Sequence, residues 1–65
     1  MKIFVNGEEI KTQSQNLNDL LLELNYEGDW LATAINAHVI PAYERINTPL
    51  KENDKIEILS PMQGG

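Results

Sequence analysis

The chain has 65 residues, a net charge of −5 at pH 7 and no cysteine. A chain of this length forms one domain that buries only roughly 60% of the surface exposed by its unfolded state, so a catalytic pocket with converging walls is not expected. The negative charge disfavours nucleic acid and anionic membranes as partners, and the absence of cysteine excludes disulfides and thiolate chemistry within the chain.

The first predicted element is a β-hairpin. Two short strand-like runs, residues 2–5 and 8–11, flank the pair Asn6-Gly7, and both residues of that pair tolerate the positive φ angles of a tight turn. Alternation places one set of apolar side chains toward the core and leaves Phe4 on the other face, as a surface aromatic or as ordinary edge packing. The residues expected on the core face are Ile3, Val5 and Ile10.

An amphipathic helix is predicted next. Asn16 is a favourable N-cap, and Asp19 places a carboxylate near the positive end of the helix. Asn25 and Gly28 are predicted to end the helix. Four leucines recur at helical spacing, and we expect their stripe to pack on the hairpin rather than to dock a partner helix. These leucines are Leu17, Leu20, Leu21 and Leu24.

A third strand is predicted after the helix. Apolar and β-branched residues run through residues 31–36 and recur at Val39 and Ile40, so we expect one strand that is broken at Asn36-Ala37 and stops at Pro41. Residues 43–49 are predicted to be an irregular connection.

The last predicted strand covers residues 55–60. It follows a turn at Asn53-Asp54, and alternation directs Ile56 and Ile58 inward and Leu59 outward. The order of hairpin, helix, strand, connection and strand predicts an α+β fold, with one main helix packed across a small mixed sheet. We expect residues 1–60 to form the domain and residues 61–65 a flexible tail.

The aromatic residues around the end of the helix are predicted to be structural. Tyr26 and Trp30 are expected to cover the open end of the core. Tyr43 fits either core cover or a partner contact.

The polar residues outside the tail also favour structural roles. His38 is the only histidine and lies in no cluster with metal-ligand spacing, so we assign it no role. Two pairs of acidic residues are expected to be solvated turn residues, because catalytic carboxylate pairs need a partly buried cleft. The pairs are Glu8 with Glu9 and Glu52 with Asp54.

The tail carries the chemistry that the sequence predicts. We expect nothing to follow Gly65, and two glycines deliver a carboxylate into a narrow channel with no side chain in the way. That carboxylate can attack the α-phosphate of ATP and form an acyl adenylate, which a sulfur or amine nucleophile then attacks. The phosphoryl charge must be stabilised by a partner. An ordinary frayed end is the alternative interpretation of the tail.

Three groups of residues, taken together, are distinctive. They are Ala34-Ile35-Asn36 with Val39-Ile40-Pro41, Leu50 with residues 53–59, and Met62-Gln63-Gly64-Gly65. With these stretches the chain resembles, from end to end, the ThiS family of sulfur-carrier proteins in thiamin thiazole biosynthesis. The resemblance implies a ubiquitin-like β-grasp fold.

The resemblance implies a reaction at Gly65. An E1-like adenylyltransferase of the ThiF kind would adenylate this residue with ATP, and sulfur that begins as cysteine persulfide, from a system such as a cysteine desulfurase, would convert it to a thiocarboxylate. The thiocarboxylate would donate sulfur to thiazole synthase, ThiG. Gly64, Gln63 and Met62 would lie in the partner channel. No metal or bound cofactor is implied, and ATP is used by the partner.

Two positions depart from the family pattern. Asn53 stands where the family commonly has glycine, and it preserves the turn because asparagine tolerates the same backbone conformation. Ala42 stands where a basic residue commonly follows the proline, so a partner contact made by that residue is in doubt. Arg45 is the candidate replacement.

Three other functions are consistent with parts of the sequence. The small subunit of molybdopterin synthase is also a sulfur carrier, but that family favours a Pro-Pro approach to its glycines, whereas this chain has Ser60-Pro61-Met62-Gln63. A modifier joined to lysine through Gly65 and an interaction module that binds through its sheet are the further alternatives.

We expect no signal peptide, and the sequence has no apolar run long enough to span a bilayer, which predicts a cytoplasmic protein.

Overall fold

A computed structural model of the chain describes residues 1–27 and 30–60. Within these ranges, neither helix is long and apolar enough to cross a bilayer. The elements are β1 (Lys2–Val5), β2 (Glu8–Lys11), α1 (Leu17–Glu23), β3 (Ala32–Ile35), β4 (His38–Ile40), a 3₁₀ helix (Ala42–Asn47) and β5 (Lys55–Leu59).

The strands form one mixed sheet in the order β2-β1-β5-β3-β4. β1 and β5 are parallel, with Phe4 opposite Lys55, whereas the other neighbouring strands are antiparallel. Within the described residues one α-helix accompanies this sheet, which confirms the predicted α+β class and the β-grasp architecture. The last described strand, β5, lies at the centre of the sheet.

The first hairpin was correctly predicted. Asn6 and Gly7 have φ angles of 51° and 85°, the left-handed conformations that a two-residue hairpin turn requires. Ile3 pairs with Ile10 and is completely buried. Phe4 is half-buried on the opposite face, and the Lys2 ammonium lies 5.7 Å from the centroid of its ring.

Helix α1 begins and ends at the predicted signals. The Asn16 side chain accepts a hydrogen bond of 2.8 Å from the Asp19 backbone N–H, as an N-cap does. After the helix, Asn25 has a φ of 65°, which turns the chain away. Gly28 lies outside the described residues. Leu17, Leu20 and Leu21 are buried and Leu24 is half-buried, so the stripe is confirmed.

The predicted third strand is in fact a second hairpin. β3 and β4 are antiparallel and joined by Asn36 and Ala37, whose φ angles are 50° and 72°. A left-handed conformation costs an alanine roughly 1–2 kcal/mol, so alanine is uncommon at such a position. A glycine at this position would have predicted the turn, whereas Ala37 does not.

Most of residues 43–49, which were predicted to be irregular, belong to the 3₁₀ helix (Ala42–Asn47), and Arg45 of this helix points into the domain. The Arg45 side chain is 5% exposed and donates hydrogen bonds to the Leu31 carbonyl oxygen and to Thr33 Oγ1, at 2.5 and 3.3 Å. Thr33 Oγ1 in turn donates to the Ile40 carbonyl oxygen. The suggestion that Arg45 replaces a basic partner contact is wrong, because the guanidinium is engaged inside the fold.

The core lies between α1 and the inner face of the sheet. Ile56 and Ile58 of β5 are buried and Leu59 is 68% exposed, which confirms the predicted alternation of this strand. Because one face of β5 is buried and the other is exposed, a shift of one residue would expose the isoleucines, so the register of β5 is well specified. The buried apolar residues are Ile3, Val5, Leu17, Leu20, Leu21, Leu31, Ile35, Leu50, Ile56 and Ile58.

Candidate functional site

The predicted site residues come shortly after β5 in the sequence. Met62, Gln63, Gly64 and Gly65 lie outside the described residues, so their roles stay predictions. The described chain reaches Ser60, one residue beyond the end of β5. The surroundings of β5 therefore set where the tail begins.

β5 is held on both sides by strands. On one side β1 pairs with it through Val5 and Ile56, and on the other β3 pairs with it from Ile35 and Ile56 to Ala32 and Leu59. The pairing with β3 thus extends farther toward the tail than the pairing with β1. On the β1 side, something else has to satisfy the backbone of β5 beyond Ile56.

Beyond the end of β1, Asn6 forms hydrogen bonds to β5. The backbone N–H of Asn6 donates to the Ile56 carbonyl oxygen at 2.8 Å. Its amide Nδ2 donates to the Ile58 carbonyl oxygen at 3.2 Å, and its Oδ1 accepts from the Ile58 N–H at 2.9 Å. The amide therefore acts as one more peptide group of the ladder. The sequence predicts only the turn role of Asn6, because Ile58 lies 52 positions away and no local pattern indicates the contact.

Asn36 makes the corresponding contacts at the start of β5. Its backbone N–H donates to the Lys55 carbonyl oxygen at 2.8 Å, and its Oδ1 accepts from the Lys55 N–H at 3.0 Å. Its Nδ2 donates to Asp54 Oδ1, also at 3.0 Å. Each hairpin turn thus contributes one asparagine to β5, and the two asparagines hold opposite ends of the strand.

An apolar surface lies on the outer face of the sheet beside the end of β5. Leu59 and Val39 are 68% and 79% exposed, and Ala32 and Ala34 of β3 lie between their strands. Exposed apolar side chains that cluster in this way are typical of contact surfaces for other proteins.

Trp30 is 62% exposed, so the prediction that it covers the core is wrong.

Tyr26 and Tyr43 differ in their surroundings. Tyr26 is partly buried and packs against the core, as predicted. Tyr43 is 79% exposed on the 3₁₀ helix, which resolves the two interpretations left open for it in favour of a surface position.

The acidic pairs are only partly the solvated turn residues that were predicted. Glu8, Glu9 and Glu52 are exposed. Asp54, however, is 7% exposed, and its Oδ2 accepts a hydrogen bond of 2.8 Å from the Lys51 N–H. Asp54 is thus a buried turn residue, because its carboxylate satisfies backbone and amide donors that would otherwise be unpaired.

A second polar cluster joins the segment after β2 to α1. Glu23 Oε1 accepts hydrogen bonds from Ser14 Oγ and Thr12 Oγ1, at 2.6 and 2.5 Å. The hydrogen bonds from Ser14 and then Thr12 lower the pKa of the Glu23 carboxyl, because they favour its charged form. The cluster fastens a loop to the helix and lies apart from β5.

A metal site is not formed by the described residues. His38 is exposed, and among residues 1–27 and 30–60 no three metal-ligating side chains come together. What these residues provide near the tail is a fixed central strand and an exposed apolar face, an arrangement suited to presenting a terminal group to another protein.

Comparisons with known proteins agree with this architecture. A model described as the ThiS family matches residues 1–65. The sulfur carrier protein ThiS of Thermus thermophilus is 29% identical over 63 residues, which cover 97% of this chain and 98% of that protein. A crystal structure of the thiamine biosynthesis protein ThiS from Geobacter metallireducens has a TM-score of 0.83 and 26% identity and covers 100% of both chains. A solution structure of a thiamine biosynthesis protein from that organism has a TM-score of 0.82 and 26% identity, and the match covers 100% of this chain and 88% of that one.

Proposed function

Because the chain belongs to the ThiS family, we propose that its working group is a carboxylate on Gly65, which partner enzymes convert to a thiocarboxylate for the thiazole ring of thiamin. At the level of the family, the chain is a sulfur carrier of thiamin biosynthesis. The observation that carries the proposal is the family match, since it extends through Gly64 and Gly65.

The first step of the proposed reaction activates the carboxylate. A carboxylate oxygen of Gly65 attacks the α-phosphate of ATP, pyrophosphate leaves, and an acyl adenylate forms. The chain supplies the nucleophile, and an adenylyltransferase similar to ThiF supplies the cationic groups that stabilise the phosphoryl charge. Gly64 has no side chain, so it adds no bulk where the tail enters the enzyme.

The second step introduces sulfur. A persulfide sulfur, formed by a cysteine desulfurase system, attacks the acyl carbon of the adenylate, and AMP leaves. A thiol then reduces the resulting acyl disulfide, which releases the thiocarboxylate on Gly65 and leaves the thiol oxidised to a disulfide. The thiocarboxylate sulfur is the nucleophile that a thiazole synthase similar to ThiG accepts. Because the chain has no cysteine, the persulfide belongs to a partner.

The partner that takes the tail is also proposed to contact the sheet. β5 leads directly into residues 61–65, so an enzyme that encloses them lies near Leu59 at the end of that strand. Leu59 and Val39 present apolar area that such an enzyme can bury, as the cores of protein interfaces do. Met62 and Gln63 would line the entrance to the enzyme.

The proposed function is tested by blocking the carboxylate. One alanine appended after Gly65 converts the reactive carboxylate to an amide, so we expect complete loss of ATP–pyrophosphate exchange with the adenylyltransferase of the same organism. The matched control carries a cleavable peptide after Gly65. Exchange should be absent before cleavage and return when a protease exposes Gly65 again. Exchange by the alanine-extended chain at the normal rate would contradict the proposal.

Mass spectrometry of the protein isolated from its host tests the second step. We expect a fraction of the molecules to show the mass gain of one oxygen replaced by sulfur, and fragmentation should place this gain on Gly65. A conjugate between Gly65 and a lysine would instead indicate a protein modifier.

A further inference from the structure

The structure carries an inference about how the tail is held, and it rests on the function proposed above. We infer that Asn6 is a positioning residue for the tail. Its side-chain amide fixes the end of β5 at Ile58, so that the last described residues before the tail, Leu59 and Ser60, are held in a defined place and direction. Asn6 does not contact the reacting carboxylate and acts through β5.

The first line of support is the hydrogen bonding of Ile58. The β1 strand ends at Val5, opposite Ile56, so β1 has no peptide group of its own in register with Ile58. The Asn6 amide donates to the carbonyl oxygen of Ile58 and accepts from its N–H, at 3.2 and 2.9 Å. These two contacts span 52 positions of sequence, and without them buried backbone groups of Ile58 would be unpaired on that side.

The second line of support is the backbone of Asn6 itself. Its φ of 51° turns the chain away from β5 while the side chain stays directed at the strand. Asparagine and aspartate are the residues that combine this left-handed conformation with a short polar side chain. Only the amide can both donate to the carbonyl oxygen of Ile58 and accept from its N–H. Asn6 is therefore suited to this role by both its backbone and its side chain.

The position of the contact determines its consequence. Ile58 is three residues before residue 61, whereas Asn36 holds Lys55 and Asp54 at the far end of the same strand. If Asn6 releases Ile58, residues 58–60 can leave the sheet, and the partner enzyme must order these residues as well when it binds. Ordering the backbone of even one extra residue weakens binding by a factor of roughly ten.

The test compares Asn6→Gly with Asn36→Gly. Glycine keeps the left-handed turn in both variants and removes only the amide, so each loses contacts to one end of β5. ATP–pyrophosphate exchange is measured with the adenylyltransferase of the same organism. For Asn6→Gly we expect the KM for the carrier to rise roughly tenfold, with kcat nearly unchanged because the reacting groups are intact. For Asn36→Gly we expect both parameters to stay within about twofold of wild type.

Hydrogen exchange of backbone amides provides a readout that needs no partner. Asn6→Gly should accelerate exchange at Ile58 and Leu59 and leave Lys55 protected, and Asn36→Gly should do the reverse. Asn6→Asp keeps the acceptor for the Ile58 N–H but loses the donor, so its KM should lie between wild type and Asn6→Gly. This milder variant also serves if Asn6→Gly does not fold.

Two results would overturn the inference. One is an equal rise in KM for Asn6→Gly and Asn36→Gly, which would indicate a loss of stability alone. The other is unchanged exchange at Ile58 and Leu59 in Asn6→Gly. Failure of the proposed function is recognised separately. Wild-type protein would then show no ATP–pyrophosphate exchange. Hydrogen exchange of the backbone amides would still report whether Asn6 fixes the end of β5.

Discussion

The two hairpins turn through almost the same backbone conformation but are fastened to the domain in different ways. The first residues of their turns, Asn6 and Asn36, have φ angles of 51° and 50°. After the first hairpin, the chain is fastened by the exposed carboxylate of Glu23, whereas the second hairpin is fastened by the buried guanidinium of Arg45. Turn geometry is thus a local property, while the way a hairpin is anchored depends on residues elsewhere in the chain.

The largest difference between the hairpins should appear when Arg45 is replaced. In Arg45→Met the Leu31 carbonyl oxygen loses its hydrogen bond from the guanidinium, and Thr33 Oγ1 loses a donor. We expect the free energy of unfolding to fall by about 2–3 kcal/mol, because buried polar groups are left without partners. Urea denaturation measures this change.

The control for Arg45 is an exposed basic residue. Lys51→Met removes the same charge at the surface, and its free energy of unfolding should stay within about 0.5 kcal/mol of wild type. If Arg45→Met were as stable as Lys51→Met, the apolar side chain would offset the lost hydrogen bonds, as happens when some buried charges are replaced. The second hairpin would then not depend on its buried charge.

A smaller effect is expected from exchanging the second residues of the two turns. Gly7→Ala should destabilise the protein by about 1 kcal/mol, because Gly7 has a φ of 85°. A Cβ atom at Gly7 would meet nothing within 4 Å, so the cost lies in the backbone and not in a clash. Ala37→Gly should stabilise by about 0.5 kcal/mol, since relief of the left-handed alanine exceeds the entropy cost of glycine.

Thermal unfolding of the two single variants and of the double variant measures these effects. The turns belong to two hairpins with β5 between them in the sheet, so the two changes should add within about 0.5 kcal/mol. Stabilisation by Gly7→Ala, or destabilisation by Ala37→Gly, would show that the matching φ angles do not reflect matching backbone energies.

The smallest effect should come from Glu23, because this side chain is exposed. Hydrogen bonds from Ser14 and Thr12 lower its pKa in the folded state, so its contribution to stability is present above the pKa of an unfolded glutamate, about 4.3. That contribution is lost as the pH falls through the lower folded-state pKa. Glu23→Gln should therefore be less stable than wild type at neutral pH and approach it in acid.

Urea denaturation between neutral and acidic pH checks this dependence. Ser14→Ala is the matched variant, since it retains the carboxylate but removes the hydrogen bond that lowers its pKa most. Its stability should depend less on pH in this window than that of wild type. Parallel pH profiles for wild type and Glu23→Gln would rule out a role for this carboxylate in fastening the first hairpin.

Local signals account for the parts of the fold that the sequence predicts. The Asn6-Gly7 pair, the Asn16 cap and the spacing of the leucines each specify an element from a few neighbouring residues. The second hairpin has the same turn geometry but places Ala37 where glycine would be expected, so the sequence predicts one strand where the structure has two. The difference lies in a single side chain and not in the conformation.

Contacts between distant segments account for what the sequence did not predict. The burial of Arg45 is determined by the carbonyl oxygen of Leu31, which is 14 residues away in sequence. The second role of Asn6 depends on Ile58, which is 52 residues away. Neither relation leaves a pattern within a short window. The tail chemistry at Gly65 was predicted from composition and resemblance, and it stays a prediction because residues 61–65 lie outside the described ranges.

The central position of β5 has a consequence for synthesis of the protein in the cell. Both β1 and β3 pair with a strand that leaves the ribosome after them, so while the chain is still being made the two hairpins have no common partner. Contacts between such distant segments form late, and nascent chains that lack them expose apolar surface. A product truncated before β5 would lose the middle of the sheet as well as the tail, and proteases would recognise it as unfolded.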